Sequence, residues 1–139
     1  AAGPDGDQLD LGHNGYVREH GLVHRRRLML KKDGTRLEGA DSLGGVRRVV
    51  RLSRDVPFAV HFHLAPGLKA ALAPGGGWVD VGLADGSRWR FAAEGAEISI
   101  EPSVHYADAS GPAQALQIVL RGACWGETEV RWSFEKAAA

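Results

Sequence analysis

An Asp-Gly pair, Asp33-Gly34, lies between two runs of alternating apolar and polar residues in the segment 13–41. Such a pair strongly favours the tight loop of an antiparallel β-hairpin. With the pair as a two-residue loop, Leu30 lies opposite Leu37, and both side chains are on one face of the hairpin. A slip of one residue would place the two leucines on opposite faces. The sequence therefore predicts the first register.

The same register places a charged pair beside the leucines. Arg26 lies opposite Asp41, and both share the face of Leu28, because residues two apart on a strand point the same way. His24 precedes Arg26 by two residues and points to that face as well. We predict that the leucine face points into the core and ends in a structural Arg26–Asp41 ion pair. His24 is the candidate third member of this network.

A second Asp-Gly pair marks another hairpin. A two-residue loop would set apolar side chains, each worth about 1.5–3 kcal/mol on burial, against exposed arginines. A three-residue loop at 85–87 instead sets Leu83 opposite Trp89. We predict the three-residue loop, with Gly86 in a left-handed conformation.

The rest of the chain also shows alternating apolar positions separated by turn signals. No stretch has the sustained 3.6-residue apolar period of a helix. The pattern predicts an all-β fold, an antiparallel β-sandwich of eight to ten short strands. We expect one domain over residues 1–139, with residues 1–7 and 137–139 disordered.

Seven short motifs follow one another in a specific order and spacing from about residue 13 onward. They are HNGY at 13–16, GLVHRRRL at 21–28, LEGAD at 37–41, FAVHFHLAPG at 58–67, WRF at 89–91, QIVL at 117–120 and VRWSF at 130–134. Together they resemble the C-terminal part of bacterial heparinase II/III-like proteins. That family is similar to polysaccharide lyases that join an N-terminal α/α toroid to a C-terminal antiparallel β-sandwich and cleave uronate-containing glycans by β-elimination.

The resemblance implies that this chain is a C-terminal fragment of a longer protein. Its partners would be the upstream α/α toroid and an acidic polysaccharide, and its location the periplasm or cell envelope. The family's base and carboxylate-neutralising residues lie mostly in the toroid and in an upstream strand. We therefore assign no catalytic residue and no cofactor to this chain, and we expect it to be inactive alone. The alternative is a free-standing carbohydrate-binding or protein-interaction module.

Five residues are candidates for contact with a glycan. His13 and Tyr16 share one turn and are suitable types for the base and the donor of a β-elimination. His24 has the same chemistry. Trp78 and Trp125 lie beside glycine-rich turns, where an indole ring can serve as a stacking platform. For the first three a structural role is the competing interpretation: Tyr16 packs, His13 caps the turn and His24 is a satisfied polar group of the core.

The motif His61-Phe62-His63 is the candidate metal site, because both imidazoles project from one face of a strand. A metal site on such a pair needs further ligands at short spacing. The residues that follow His63 supply none, so we predict no bound metal. Two polar side chains on a solvent or partner-domain face are the simpler interpretation.

Charge, motifs and apolar runs limit the classes of binding partner that this chain can have. The 17 basic and 17 acidic residues cancel, and no phosphate-binding loop, zinc-finger spacing or aromatic-basic surface is present. We therefore predict no nucleic-acid partner. No apolar run approaches 20 residues, which predicts no membrane span. Basic residues cluster locally at 25–27, which is compatible with an acidic glycan or with a solvated face.

Overall fold

The computed structural model describes residues 2–3, 6–7, 9–11, 16–17, 22–45, 56–105, 113–124 and 127–137, with side chains for 24–44, 57–103, 114–124 and 127–137. The regular structure in these ranges is entirely β-strand. The strands are β1 (Ala2–Gly3), β2 (Gly6–Asp7), β3 (Leu9–Leu11), β4 (Tyr16–Val17), β5 (Leu22–Leu30), β6 (Arg36–Gly45), β7 (Val56–His63), β8 (Lys69–Leu72), β9 (Trp78–Gly82), β10 (Arg88–Glu94), β11 (Glu97–His105), β12 (Ala113–Cys124) and β13 (Thr128–Lys136). The strands from β5 to β13 have four residues or more, in agreement with the predicted eight to ten.

Two sheets pack face to face. The larger has seven strands in the order β4-β5-β6-β13-β10-β9-β8, and the smaller has four in the order β11-β12-β7-β3. Neighbouring strands are antiparallel except for β3 and β7, which are parallel. Side chains of both sheets form one apolar core. The predicted antiparallel β-sandwich is thereby confirmed.

Strand β13 joins the two hairpins of the larger sheet, because it lies between β6 and β10. Trp132 on β13 is opposite Gly39 on β6 and Ala93 on β10. The core-facing side chains alternate along β13 with charged ones, as a strand with one solvated face requires. Trp132 and Phe134 meet Phe62 of the smaller sheet edge-on, with ring centroids 4.8 and 6.1 Å apart. Aromatic packing therefore joins the two sheets next to the first hairpin.

The first hairpin has the predicted register, with Leu30 opposite Leu37 and Arg26 opposite Asp41. Its loop is longer than predicted. The Lys31 N–H donates to the Arg36 carbonyl at 2.8 Å, which leaves four residues between them. The turn closes through Gly34, whose φ of 73° is in the left-handed region that glycine tolerates.

The second hairpin corrects a prediction. Its loop has three residues as expected, but they are 84–86, because the Leu83 N–H donates to the Ser87 carbonyl at 3.0 Å. Val81 therefore lies opposite Trp89, and the predicted pairing of Leu83 with Trp89 is wrong by two residues. Gly86 is left-handed as predicted, with φ of 87°, and it takes the last loop position.

The predicted inward leucine face is wrong at the end of the first hairpin. Leu37 packs against the core, but Leu28 and Leu30 are 61 and 65% exposed. The cause is that a sheet of four strands does not cover a sheet of seven. Strand β5 is second from one edge of the larger sheet, and the leucine end of its inner face stays uncovered. Leu72 on β8, at the opposite edge, is also exposed.

The two chain ends were expected to lack structure. Within residues 1–7 the structure pairs β1 with β2, and the Ala137 N–H donates to the Arg88 carbonyl at 2.8 Å. Residues 138 and 139 lie outside the described part of the chain. No helix in the described ranges has the length and apolar character to cross a membrane.

Candidate functional site

Among the described residues, the buried polar or charged side chains are His24 and Asp41, which are 5 and 2% exposed. Both point to the inner face of the larger sheet, where the register of β5 and β6 brings them together. His24 is opposite Leu43, the residue two positions after Asp41, so the two side chains are diagonal neighbours on one face. These two side chains are therefore the candidate functional groups in the core.

Asp41 accepts hydrogen bonds from three side chains. Arg26 donates from Nε to Oδ1 at 2.7 Å and from Nη2 to Oδ2 at 3.2 Å. The Trp132 indole Nε1 donates to Oδ2 at 2.7 Å. His24 Nε2 is 2.6 Å from Oδ1 and carries the proton of that bond, since a carboxylate only accepts. We call these four residues the Asp41 cluster.

The cluster keeps Asp41 ionised. Burial by itself raises the pKa of this carboxyl group, because the charged form loses its hydration. The hydrogen bonds from His24, Arg26 and Trp132, together with the charge of Arg26, lower the pKa more than burial raises it. The result is a pKa below the ordinary value of 3.8. The cluster is therefore a stable ion pair in the neutral pH range.

Arg26 also links the cluster to the aromatic core. Its guanidinium carbon lies 5.5 Å from the Phe62 ring centroid and 5.7 Å from that of Trp132. A cation over an aromatic face gains further stabilisation when it is partly desolvated, and the Arg26 side chain is 21% exposed. The arginine predicted to pair with Asp41 thus contacts that carboxylate and two aromatic rings.

The lowered pKa of Asp41 predicts an acid-sensitive contribution to stability. A group whose pKa is depressed in the folded protein stabilises it above the unfolded pKa and loses this effect as the pH falls through the folded pKa. We expect the urea midpoint to fall below about pH 4 more steeply for the natural chain than for Asp41→Asn. Parallel profiles from pH 5 to pH 2 would contradict this. Asp80→Asn, a change at an exposed position of β9, is the control.

Three of the five candidate glycan contacts cannot be assigned from the structure. His13 and Trp125 lie outside the described residues. Tyr16 is described only by its backbone, which pairs with Val23 in the larger sheet. Their roles stay predictions.

The structure separates the other two candidates. His24 is buried on the inner face of the larger sheet in contact with Asp41. Trp78 is opposite Ala92 on the outer face and is half-buried, with the Arg90 guanidinium carbon 4.5 Å from its ring centroid. An arginine stacked over the indole covers one ring face that a sugar would use. The two residues do not form one site.

The outer face of the larger sheet has a broad concavity that the sequence did not predict. Its volume is about 1070 Å³. Small side chains form part of its floor and charged side chains stand around it: Arg27, Arg36, Glu38, Ala40, Ala92, Glu94, Arg131 and Ser133. Each of its arginines contacts a carboxylate: Arg36 that of Glu38 and the other two that of Glu129. The groove therefore offers little net charge to a polyanion.

The His61-x-His63 pair lies on the outer face of the smaller sheet. His61 Nδ1 is 3.0 Å from Gln117 Oε1, and His63 Nδ1 is 2.8 Å from Ser103 Oγ. In the described part of the chain, no three His, Cys, Asp or Glu side chains are grouped so that they could hold a metal ion. The absence of a bound metal stays a prediction.

Sequence reasoning missed one member of the Asp41 cluster, Trp132. It was assigned to the core from its apolar phase on β13, and it is buried there. Its indole nitrogen also reaches Asp41, 91 positions away along the chain. Gly39 was the available signal, because a glycine inside a strand often marks the close approach of another group.

A match over nearly the whole sequence shows which family this chain belongs to. The chain matches the family model described as heparinase II/III-like, C-terminal, over residues 1–133. The chain belongs to this family. The resemblance seen in the seven motifs is thereby confirmed, and membership implies an upstream domain in the parent protein.

A curated relative covers nearly all of this chain. FtsZ-localized protein C of Caulobacter vibrioides is 34% identical over 135 residues, which is 93% of this chain and 23% of the relative. The heparinase II/III-like chain described here therefore spans less than a quarter of that protein.

A solved structure shows the same fold. A heparinase III gene product matches with a TM-score of 0.65 and 15% sequence identity, over 84% of this chain and 18% of its own. At this identity the match supports the β-sandwich architecture alone.

Proposed function

We propose that this chain is the non-catalytic C-terminal sandwich of a polysaccharide lyase. In this proposal the parent protein cleaves uronate-containing glycans by β-elimination, with the base and donor supplied upstream. The sandwich supports the catalytic domain and lines the substrate cleft. It has no turnover by itself.

The burial and mutual hydrogen bonding of the Asp41 cluster are the observation that supports this proposal. A β-elimination needs a base at the C5 proton, a donor for the leaving oxygen and a cation or donor at the carboxylate. His24, Asp41 and Arg26 are suitable residue types. They are bonded to one another, and His24 and Asp41 are almost fully enclosed. A set of groups that satisfies itself in the core stabilises the fold, and it leaves the chemistry to another part of the parent.

The isolated chain is expected to show no lyase activity. The parent and the isolated chain should be compared on heparan sulfate, hyaluronan and alginate, with the absorbance of the unsaturated product as readout. We expect product from the parent on at least one glycan and none from the chain. Product formation by the chain would contradict the proposal. The variant His24→Ala in the parent is a further test of the cluster. If His24 is structural, the variant should lose stability before its preference among the glycans changes.

A second candidate function is a protein-interaction module. It is favoured by the relative that covers 93% of this chain, because that protein is named for its localisation with FtsZ. Under this hypothesis the β-sandwich of the family serves to bind another protein. Cosedimentation of the chain with polymers of purified FtsZ, without turnover of any glycan by the parent, would favour this candidate over the lyase.

A further inference from the structure

Strand β5 has a backbone edge that its described neighbours leave largely open. On one side it pairs with β6 along its whole length, from Leu22 to Leu30. On the other side, β4 pairs with Leu22 and Val23 only. The remainder of β5 is therefore an edge strand of the larger sheet, as far as the described residues show.

The hydrogen-bond pattern shows which groups face this edge. The Lys31 N–H bonds the Arg36 carbonyl across the hairpin. Because bonded pairs alternate along an antiparallel ladder, residues 25, 27 and 29 turn their backbone groups toward β6. The backbone groups of 26, 28 and 30 point the other way, toward the open edge. A row of such groups is a template for one more strand.

The side chains around this edge combine apolar and basic character. Leu28, Met29 and Leu30 are 61, 68 and 65% exposed, and they are three of the four exposed large apolar side chains in the described ranges. Arg25 and Lys31, on either side of them, are exposed as well. Three consecutive exposed apolar residues on an open strand mark an interaction surface rather than a plain solvated one.

We propose that the β5 edge binds an extended peptide that carries alternating apolar and acidic side chains and adds as a strand to the larger sheet. The pattern follows from the faces of β5. Leu28 and Leu30 are on the inner face, so the partner places apolar residues there. Arg25 and Lys31 are on the outer face, so the partner places carboxylates opposite them.

Charge disfavours a second copy of this chain as the partner strand in the two registers that align the exposed apolar residues with one another. An antiparallel self-pairing centred on Leu28 sets Arg25 against Lys31, and one centred on Met29 sets Arg27 against Lys31. Like charges directly opposite each other destabilise a strand pair. The basic flanks thus protect the apolar centre from edge-to-edge aggregation and leave it open to an acidic partner. This inference does not depend on any activity toward glycans.

A labelled peptide tests the proposal directly. The probe is fluorescein-Glu-Val-Thr-Ile-Glu-Thr-Glu, with fluorescence anisotropy measured at low ionic strength. The first control replaces each Glu with Lys, and the second N-methylates alternate residues so that one backbone edge cannot hydrogen-bond. We expect saturable binding of the probe, at least about tenfold weaker binding of both controls, and weakening of probe binding by added salt.

Variants of the chain assign the binding to β5. The double variant Arg25→Glu with Lys31→Glu should weaken probe binding by about tenfold or more, because the two new carboxylates repel the glutamates of the probe. The matched double variant Lys69→Glu with Arg88→Glu changes two exposed cations elsewhere and should leave binding unchanged. Leu28→Pro removes an edge N–H that β6 does not use, and it should also abolish binding. Unchanged denaturation midpoints check that each variant is folded.

Several outcomes would overturn the proposal. One is equal binding of the N-methylated control, which would exclude strand addition. Another is equal loss of binding in both double variants, which would place the peptide elsewhere. A third is no binding of the probe at all. Binding of a fluorescent heparin oligosaccharide without binding of the probe would identify a polyanion site instead.

Discussion

Replacing Asp41 with alanine is expected to lower the free energy of unfolding by about 3–5 kcal/mol. The change leaves the Arg26 guanidinium, partly buried over two aromatic rings, without its carboxylate. It also leaves the buried Trp132 Nε1 without the acceptor at 2.7 Å, and an unsatisfied buried donor adds its own desolvation cost. The measurement is the chemical-denaturation midpoint of the purified variant against that of the natural chain.

Two other aspartates of the chain are the matched controls. Asp33 and Asp85 are exposed and accept hydrogen bonds within their own turns, from Thr35 and Ser87 respectively. Their replacement with alanine should shift the midpoint far less than that of Asp41, because both turns are solvated and water can replace the lost acceptor. If the midpoints for Asp41→Ala and Asp85→Ala coincide, the buried ion pair does not carry the stability assigned to it. Asp41→Asn keeps the shape of the side chain and provides a measurable variant if the alanine variant does not fold.

The register of the first hairpin could be predicted because two requirements agree there. The Asp33-Gly34 pair marks a turn, and Leu30 and Leu37 fix which parity of pairing puts apolar residues on one face. The observed loop is longer by one residue on each side. This lengthening keeps the parity and every pair beyond it, so Arg26 still lies opposite Asp41.

The second hairpin shows where the same reasoning fails. Pairings that differ by two residues place the same side chains on the same faces, so apolar alternation cannot distinguish them. The decision comes from the turn. Gly86 supplies the left-handed residue at the end of the loop, and Asp85 accepts from the Ser87 N–H at 2.8 Å, so the strands meet one position earlier than predicted.

The exposure of the hairpin leucines could not be predicted from local sequence. Alternation shows that Leu28 and Leu30 share a face with Asp41, and this is correct. Whether that face is covered depends on how many strands the opposite sheet has and where it lies. That information is spread over segments that are distant along the chain, and it determines both the buried Asp41 cluster and the open β5 edge.

A Cβ atom at Gly39 is expected to destabilise the sandwich strongly. An alanine there would place this atom closer than 3.0 Å to Cζ2 and Cε2 of Trp132, far inside van der Waals contact. The indole cannot yield freely, because its Nε1 donates to Asp41 and its ring meets Phe62 edge-on at 4.8 Å. We expect Gly39→Ala to cost at least about 1–3 kcal/mol, the usual penalty of overpacking, and to shift the tryptophan fluorescence.

The matched control for this prediction is Gly82→Ala in β9. Gly82 also lies in a strand, and its nearest neighbour to an added Cβ is Lys69 Cβ at 3.9 Å. Alanine there should leave stability unchanged or raise it by about 0.4–1 kcal/mol, because the unfolded chain loses conformational freedom. Trp132→Phe removes the ring atoms that the new methyl group would strike, so Gly39→Ala should cost less in that background than in the natural chain. Equal costs in the two backgrounds would show that Gly39 is kept for a reason other than the close approach of Trp132.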